Sequence, residues 1–85
     1  MAQVTRASVR KMMEDLLKRQ GKSLPADDGM ALQAVGFRSL DFAELALRVE
    51  TASGRSLQFE TAVLRTIQTV GDVLDFMERA GGGGA

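Results

Sequence analysis

The sequence contains no cysteine and no histidine among its 85 residues. Without cysteine, the chain can have no disulfide, no thiolate metal site and no cysteine nucleophile, and a reducing compartment is favoured. Without histidine, it lacks the commonest general base and the commonest transition-metal ligand, and a Ser-His-Asp triad is impossible. We therefore expect a protein that is not an enzyme, with no catalytic residue and no metal site of its own.

Long apolar runs are also missing. No stretch of the sequence approaches the roughly 18 apolar residues of a membrane span, and the N-terminus lacks the apolar stretch of a signal peptide. We therefore expect a cytoplasmic protein that does not associate with membranes. With 45% hydrophobic and 26% charged residues, the chain is typical of one small soluble domain, and we expect a monomer.

Charge of one sign is not in excess, because eleven basic residues balance eleven acidic ones. The distribution is uneven: the first 22 residues include Arg6, Arg10, Lys11, Lys18, Arg19 and Lys22. A basic helix can bind nucleic acid, but the neutral total and the restriction to one helix favour a solvated face instead. Nucleic acid is not an expected partner.

Hydrophobic periodicity predicts an all-α protein, a small four-helix bundle with three longer helices, a short helix III and a long loop between helices I and II. The predicted domain spans residues 1–80, and the glycine-rich residues 81–85 predict a flexible tail. The predicted helices run from about Thr5 to Gln20, from Ser39 or Leu40 to about Thr51 or Ser53, from Glu60 to Thr66, and from a Thr69 cap to Arg79 or Ala80. At the short third helix, Leu64 and Ile67 are expected to face inward.

The predicted loop, residues 22–38, contains Pro25 and the turn signal Asp27-Asp28-Gly29. The two aspartates are interpreted as solvated. Connections of this length in a small domain are usually functional or disordered, and apolar residues in this loop predict that it is pinned across the core. These anchors are Leu24, Met30, Leu32 and Val35.

The most informative segment is residues 36–42, where Ser39 stands at the transition from the loop to helix II. A helix N-terminus favours a bound phosphate, since free N–H groups and the positive end of the dipole face it. A serine in this position is, however, more often a helix cap. Helical spacing predicts a buried face of helix II made of Phe42, Leu45, Ala46 and Val49. It predicts an apolar patch on the outward face made of Leu40, Ala43 and Leu47.

The order of these elements resembles the carrier protein family, the acyl and peptidyl carrier proteins of fatty acid, polyketide and nonribosomal peptide synthesis. The resemblance covers nearly the whole chain from helix I to Met77. The residues that carry it are Leu32-x-x-Val35-Gly36-x-x-Ser39-Leu40 ahead of helix II and Thr69-Val70 at the entry to helix IV.

The resemblance implies that a phosphopantetheinyl transferase attaches 4'-phosphopantetheine from coenzyme A to Ser39. The arm would carry acyl or aminoacyl thioesters between a loading enzyme, such as an adenylation enzyme or acyltransferase, and downstream synthase enzymes. It also implies a partner-binding face made of Arg38, Leu40, Ala43, Glu44, Leu47 and Val63.

Two departures from the family pattern narrow the type of carrier that we expect. Arg38 replaces the aspartate that usually precedes the serine. Helix II is also less acidic than in fatty acid carriers, because Arg48 offsets part of the negative charge of Asp41, Glu44 and Glu50. We therefore expect a freestanding carrier of polyketide or nonribosomal peptide biosynthesis. The alternatives are a fatty acid carrier and an unmodified helical interaction module in which Ser39 only caps the helix.

Overall fold

The computed structural model describes residues 4–57 and 61–83. Within these ranges the chain is all-α and has no strand, which confirms the predicted class. No helix in the described part of the chain is both long enough and apolar enough to cross a bilayer. The helices are α1 (Arg6–Lys18), α2 (Leu32–Val35), α3 (Ser39–Ser53), α4 (Thr61–Leu64) and α5 (Val70–Glu78), followed by a π-helical turn (Arg79–Gly83).

The longer helices begin and end where local chemistry stops the backbone from continuing. Thr5 caps α1 reciprocally with Ser8, and Thr69 caps α5 with Asp72, as the sequence predicted for the latter. Gly54 ends α3 in the left-handed conformation with φ 74°, which an L-residue adopts only at a cost. These caps fix the entry and exit points of the helices that form the core.

The core lies between α1, α3 and α5. The stripe predicted for helix II, which is Phe42, Leu45, Ala46 and Val49 of α3, is buried. Phe42 also packs against Phe76 of α5, with ring centroids 5.9 Å apart. The remaining buried apolar side chains are Val4, Val9, Met13, Leu16, Leu17, Phe37, Val70, Val73, Leu74 and Met77.

The connection between α1 and α3 was predicted as an irregular loop, but it contains the single-turn helix α2. Main-chain hydrogen bonds tie this connection to the segment before α5: Leu32 N–H donates to Gln68 O (2.9 Å), and Val70 N–H donates to Met30 O (3.0 Å). Leu24, Leu32 and Val35 pack on the core as predicted, whereas Met30 is exposed. The prediction that the loop is pinned is thus confirmed, with main-chain atoms supplying part of the attachment.

Side chains fasten the same loop to α1. Asp28 accepts hydrogen bonds from Arg6 (3.0 Å) and Arg10 (3.1 Å), and Arg10 also donates to the carbonyl of Pro25. Asp75 of α5 is a further acceptor for Arg6, and hydrogen bonds from Arg6 to Asp75 and then Asp28 raise the pKa of the guanidinium. Asp28, with 42% of its side chain exposed, is therefore partly solvated as expected, and it also holds ion pairs that the sequence did not predict.

The C-terminal end of the described chain packs on the core. Gly81 is buried, and a Cβ at this position would lie 2.7 Å from Val49 Cγ1. Whether the tail over 81–85 is flexible stays a prediction, and residues 84 and 85 lie outside the described ranges. The predicted start of helix III at Glu60 also lies outside them; the helix that is described there, α4, spans Thr61–Leu64.

Candidate functional site

Ser39 is the first residue of α3, and Arg38 is the N-cap, with extended backbone (φ −105°, ψ 176°). Ser39 is exposed, and its hydroxyl forms no hydrogen bond with any residue in the described ranges. Its oxygen therefore stands free at the positive end of a helix of 15 residues. Such a hydroxyl is accessible to another molecule and would leave a covalently bound phosphate next to unsatisfied N–H groups.

The capping function belongs to Asp41 rather than to Ser39. The Asp41 carboxylate accepts a hydrogen bond from the Arg38 backbone N–H through Oδ2 at 2.9 Å. Asp41 is only 8% exposed, because it lies between the start of α3 and the end of α1. Counting Asp41 among the acidic residues of the helix surface was therefore wrong, and capping does not explain the serine.

Two polar residues that follow α1 hold the turn before Ser39. Gln20 Nε2 donates to Asp41 Oδ1 at 2.7 Å, and Lys22 Nζ donates to Gln20 Oε1 at 3.0 Å. The same ammonium donates to the carbonyl oxygen of Gly36 at 3.0 Å. We call Gln20, Lys22 and Asp41 the turn clamp, since they join the end of α1 to both sides of Ser39.

An open groove of about 660 Å³ begins beside Ser39. Its floor includes the nearly buried rings of Phe37 and Phe42, and its other side includes Leu64 and Ile67. Leu64 was predicted to point inward but is 36% exposed, because it borders this groove. The other lining residues are Ala31, Leu32, Gln33, Gly36, Arg38, Ser39 and Gln68.

The outward face of α3 is apolar at the positions predicted from the sequence. Leu40 is 79% exposed and Leu47 is 62% exposed, and Ala43 between them is exposed as well. Val63, on α4, is also exposed. Leucines so open to water are available for a partner, although single exposed apolar residues are common on protein surfaces.

The charged residues near this face differ in whether they have ion-pair partners. Glu44 is exposed and lies within ion-pair distance of Arg19 (3.5 Å) and Arg48 (3.7 Å). Arg38 is exposed and has no ion-pair partner in the described part of the chain. The cation next to Ser39 is therefore free to approach an anion from another molecule.

Sequence reasoning found the exposed residues of this site but missed its supports. Helical periodicity marks Ser39, Leu40 and Leu47 as outward-facing, but it carries no information on which loop residue contacts which helix. Gln20 and Lys22 follow α1, and only the tertiary arrangement brings them to Asp41 and Gly36. The available signal was Gly21, which directly precedes Lys22 and has the left-handed backbone conformation (φ 75°) of a turn at the end of α1.

Comparison with protein-family models, with curated proteins and with solved structures finds no match to this chain.

Proposed function

We propose that this chain is a carrier protein whose Ser39 is esterified by 4'-phosphopantetheine, transferred from coenzyme A by a phosphopantetheinyl transferase. When attached, the arm supplies the thiol that the cysteine-free chain lacks, and it holds acyl or aminoacyl groups as thioesters. The observation that carries the proposal is the free, exposed hydroxyl at the first residue of α3, combined with the assignment of capping to Asp41.

The residues around Ser39 fit a phosphodiester chemically. The start of α3 offers free N–H groups and a positive dipole end, and Arg38 adds an exposed positive charge. We also propose that the chain has the four-helix bundle of the carrier family. In this assignment α1, α3 and α5 are the three longer helices and α4 is the short helix III.

The outward face of α3 and Val63 would then bind the enzymes that use the carrier. Transient contacts suit this task, since a carrier has to leave each partner after every step. Burial of Asp41 and pairing of Glu44 leave the face with little free negative charge. This favours enzymes of polyketide or nonribosomal peptide synthesis over the basic partners typical of strongly acidic fatty acid carriers.

The groove beside Ser39 and the cap of α3 help to distinguish the alternative functions. Its apolar floor suits a hydrocarbon cargo better than a polar aminoacyl group, which keeps the fatty acid carrier as the second candidate. The interaction module in which Ser39 acts as a cap receives no support, because Asp41 caps α3. An unmodified module that uses only the Leu40 and Leu47 patch remains the non-carrier alternative.

Intact mass spectrometry after incubation with coenzyme A and a broad-specificity transferase tests the proposal. We expect the protein to gain the mass of one phosphopantetheine, and the Ser39→Ala variant to gain none. Ser23→Ala, which removes an exposed loop serine away from any helix start, is the matched control and should be loaded like the wild type. No gain in the wild type, or an equal gain in Ser39→Ala, contradicts the assignment.

A further inference from the structure

We infer that Lys22 is a positioning residue for Ser39: through the turn clamp it holds the segment that presents the serine hydroxyl to the transferase. The inference rests on the proposed function. It starts from one geometric fact, that a single ammonium group donates hydrogen bonds to Gln20 Oε1 and to Gly36 O, both at 3.0 Å.

These two bonds reach the turn from opposite sides. On one side, Lys22 holds the carbonyl oxygen of Gly36, three residues before Ser39. On the other side, it orients Gln20, whose Nε2 donates to Asp41 Oδ1 at 2.7 Å and to Leu16 O at 3.4 Å. Asp41 in turn accepts from the Arg38 N–H. Ser39 therefore lies between two points that are both linked to Lys22.

The contact between Lys22 and Gly36 is close as well as polar. Gly36 has φ 83°, and a Cβ there would lie 2.9 Å from Lys22 Nζ and 3.1 Å from its Cδ. The lysine side chain thus occupies the space that any other residue at position 36 would need. Because hydrogen bonds involving charged groups are stronger than neutral ones, the ammonium is the firmest part of this attachment.

Loading requires the serine oxygen in a defined place. In that step the Ser39 oxygen forms a bond to a phosphorus of the coenzyme A pyrophosphate and loses its proton to a base of the transferase. The bond from that phosphorus to the bridging oxygen breaks, and adenosine 3',5'-bisphosphate leaves. A nucleophile held in the reactive geometry reacts faster, and a displacement of about 1 Å can cost a large factor in rate.

A positioning role and a docking role of Lys22 differ in kinetics. If Lys22 positions the nucleophile, its loss lowers kcat of loading while the KM for the carrier changes little. If Lys22 instead contacts the transferase directly, its loss raises KM and leaves kcat unchanged. If it serves only stability, thermal unfolding shifts while both kinetic constants are unaffected.

The test compares Lys22→Met with Lys18→Met, using coenzyme A and a broad-specificity transferase at saturating carrier concentration. Methionine keeps an unbranched side chain as far as the ε position and removes the donor. Lys18 is exposed on α1 and has no side-chain partner in the described ranges. We expect kcat of Lys22→Met to fall at least about tenfold, because both hydrogen bonds of the ammonium are lost, and Lys18→Met to match the wild type.

Two further measurements make the result decisive. Gln20→Leu, which breaks the link from Lys22 to Asp41 and leaves the bond to Gly36 possible, should lower kcat to an intermediate value. Amide hydrogen exchange of Arg38 in the unloaded protein should be faster in Lys22→Met than in Lys18→Met at equal thermal stability. Unchanged kcat in Lys22→Met with normal loading of the wild type overturns this inference alone; no loading of the wild type overturns the proposed function with it.

Discussion

The guanidinium of Arg6, in the first turn of α1, lies 3.0 Å from the carboxylate of Asp28 in the loop before α2. Arg10 binds the same carboxylate from one turn further along the helix, at 3.1 Å. One acidic side chain therefore fastens the middle of the long connection to the first helix. Since Gly71 N–H also donates to the Asp28 carbonyl oxygen (2.8 Å), the residue joins α1 to the start of α5.

Replacing Asp28 by Asn should remove both ion pairs and weaken this attachment. We expect the free energy of unfolding to fall by about 1 kcal/mol at low salt and by less in 1 M salt, because the partners are partly exposed and screened. Urea unfolding at two salt concentrations measures the effect. Asp27→Asn is the control, since asparagine can still accept the hydrogen bond from Gly29 N–H. Equal losses in both variants would contradict the assigned role.

Removing the Asp41 carboxylate should destabilise the protein, because this charged group is buried and accepts hydrogen bonds. Asp41→Ala leaves the Arg38 N–H without its acceptor and the Gln20 amide with only its longer bond to Leu16 O, and we expect a loss of about 1 to 2 kcal/mol in the free energy of unfolding. Glu44→Ala, on the exposed side of the same helix, should change it by less than about 0.5 kcal/mol. Chemical denaturation of the two variants side by side checks the contrast.

Alanine substitutions of Leu40 and Leu45 should affect different properties, partner binding for Leu40 and stability for Leu45. Leu45 is fully buried, and Leu45→Ala should cost about 2 to 4 kcal/mol of stability. Leu40→Ala should leave stability within about 0.5 kcal/mol of the wild type. If the outward face of α3 binds the transferase, Leu40→Ala should raise the KM for the carrier about fivefold, measured by the rate of mass gain. An unchanged KM removes Leu40 from the partner face.

Gly81 should not tolerate a side chain. A Cβ would approach Val49 Cγ1 to 2.7 Å and Val4 Cβ to 3.2 Å, so Gly81→Ala should cost about 1 to 3 kcal/mol of stability. The cost should be smaller in a Val49→Ala background, where the closest atom is missing. A double-mutant cycle by thermal unfolding measures this coupling, and additive effects would show that Gly81 does not contact Val49.

Asp72 should make stability depend on pH in the acidic range. Backbone hydrogen bonds from Gln68 and then Thr69 lower the pKa of its carboxyl below 3.8, the ordinary value. The stability that this group contributes is therefore complete above the pKa of the unfolded chain and is lost as the pH falls through the lower folded value. We expect Asp72→Asn to be less stable than the wild type at pH 7 and the difference to shrink in acid. Urea unfolding across this pH range checks the trend.

Much of the fold follows from local chemistry that the sequence displays. The stripe that contains Phe42, Leu45 and Val49 has the helical period, and the Thr69 cap precedes its helix by the spacing that a capping box requires. These elements depend on near neighbours alone. The single-turn helix α2 was missed because four residues are too few for periodicity to register.

The parts of the site that sequence reasoning could not supply depend on distant residues. Asp41 reads as an exposed acid at a helix start, and only the approach of Gln20, 21 positions earlier, shows why it is buried. Leu64 reads as a core residue, but the groove between it and Phe37 leaves it open. Tertiary packing decides such cases, and propensity does not contain that information.

The bonds between the long connection and residues 68–71 use only main-chain atoms, from Leu32 to Gln68, from Val70 to Met30 and from Gly71 to Asp28. Such bonds do not depend on which side chains the loop bears. Exposed loop positions such as Gln33 and Ala34 can therefore vary during evolution without detaching the segment. This part of the surface could in this way change within a lineage while the scaffold beneath stays the same.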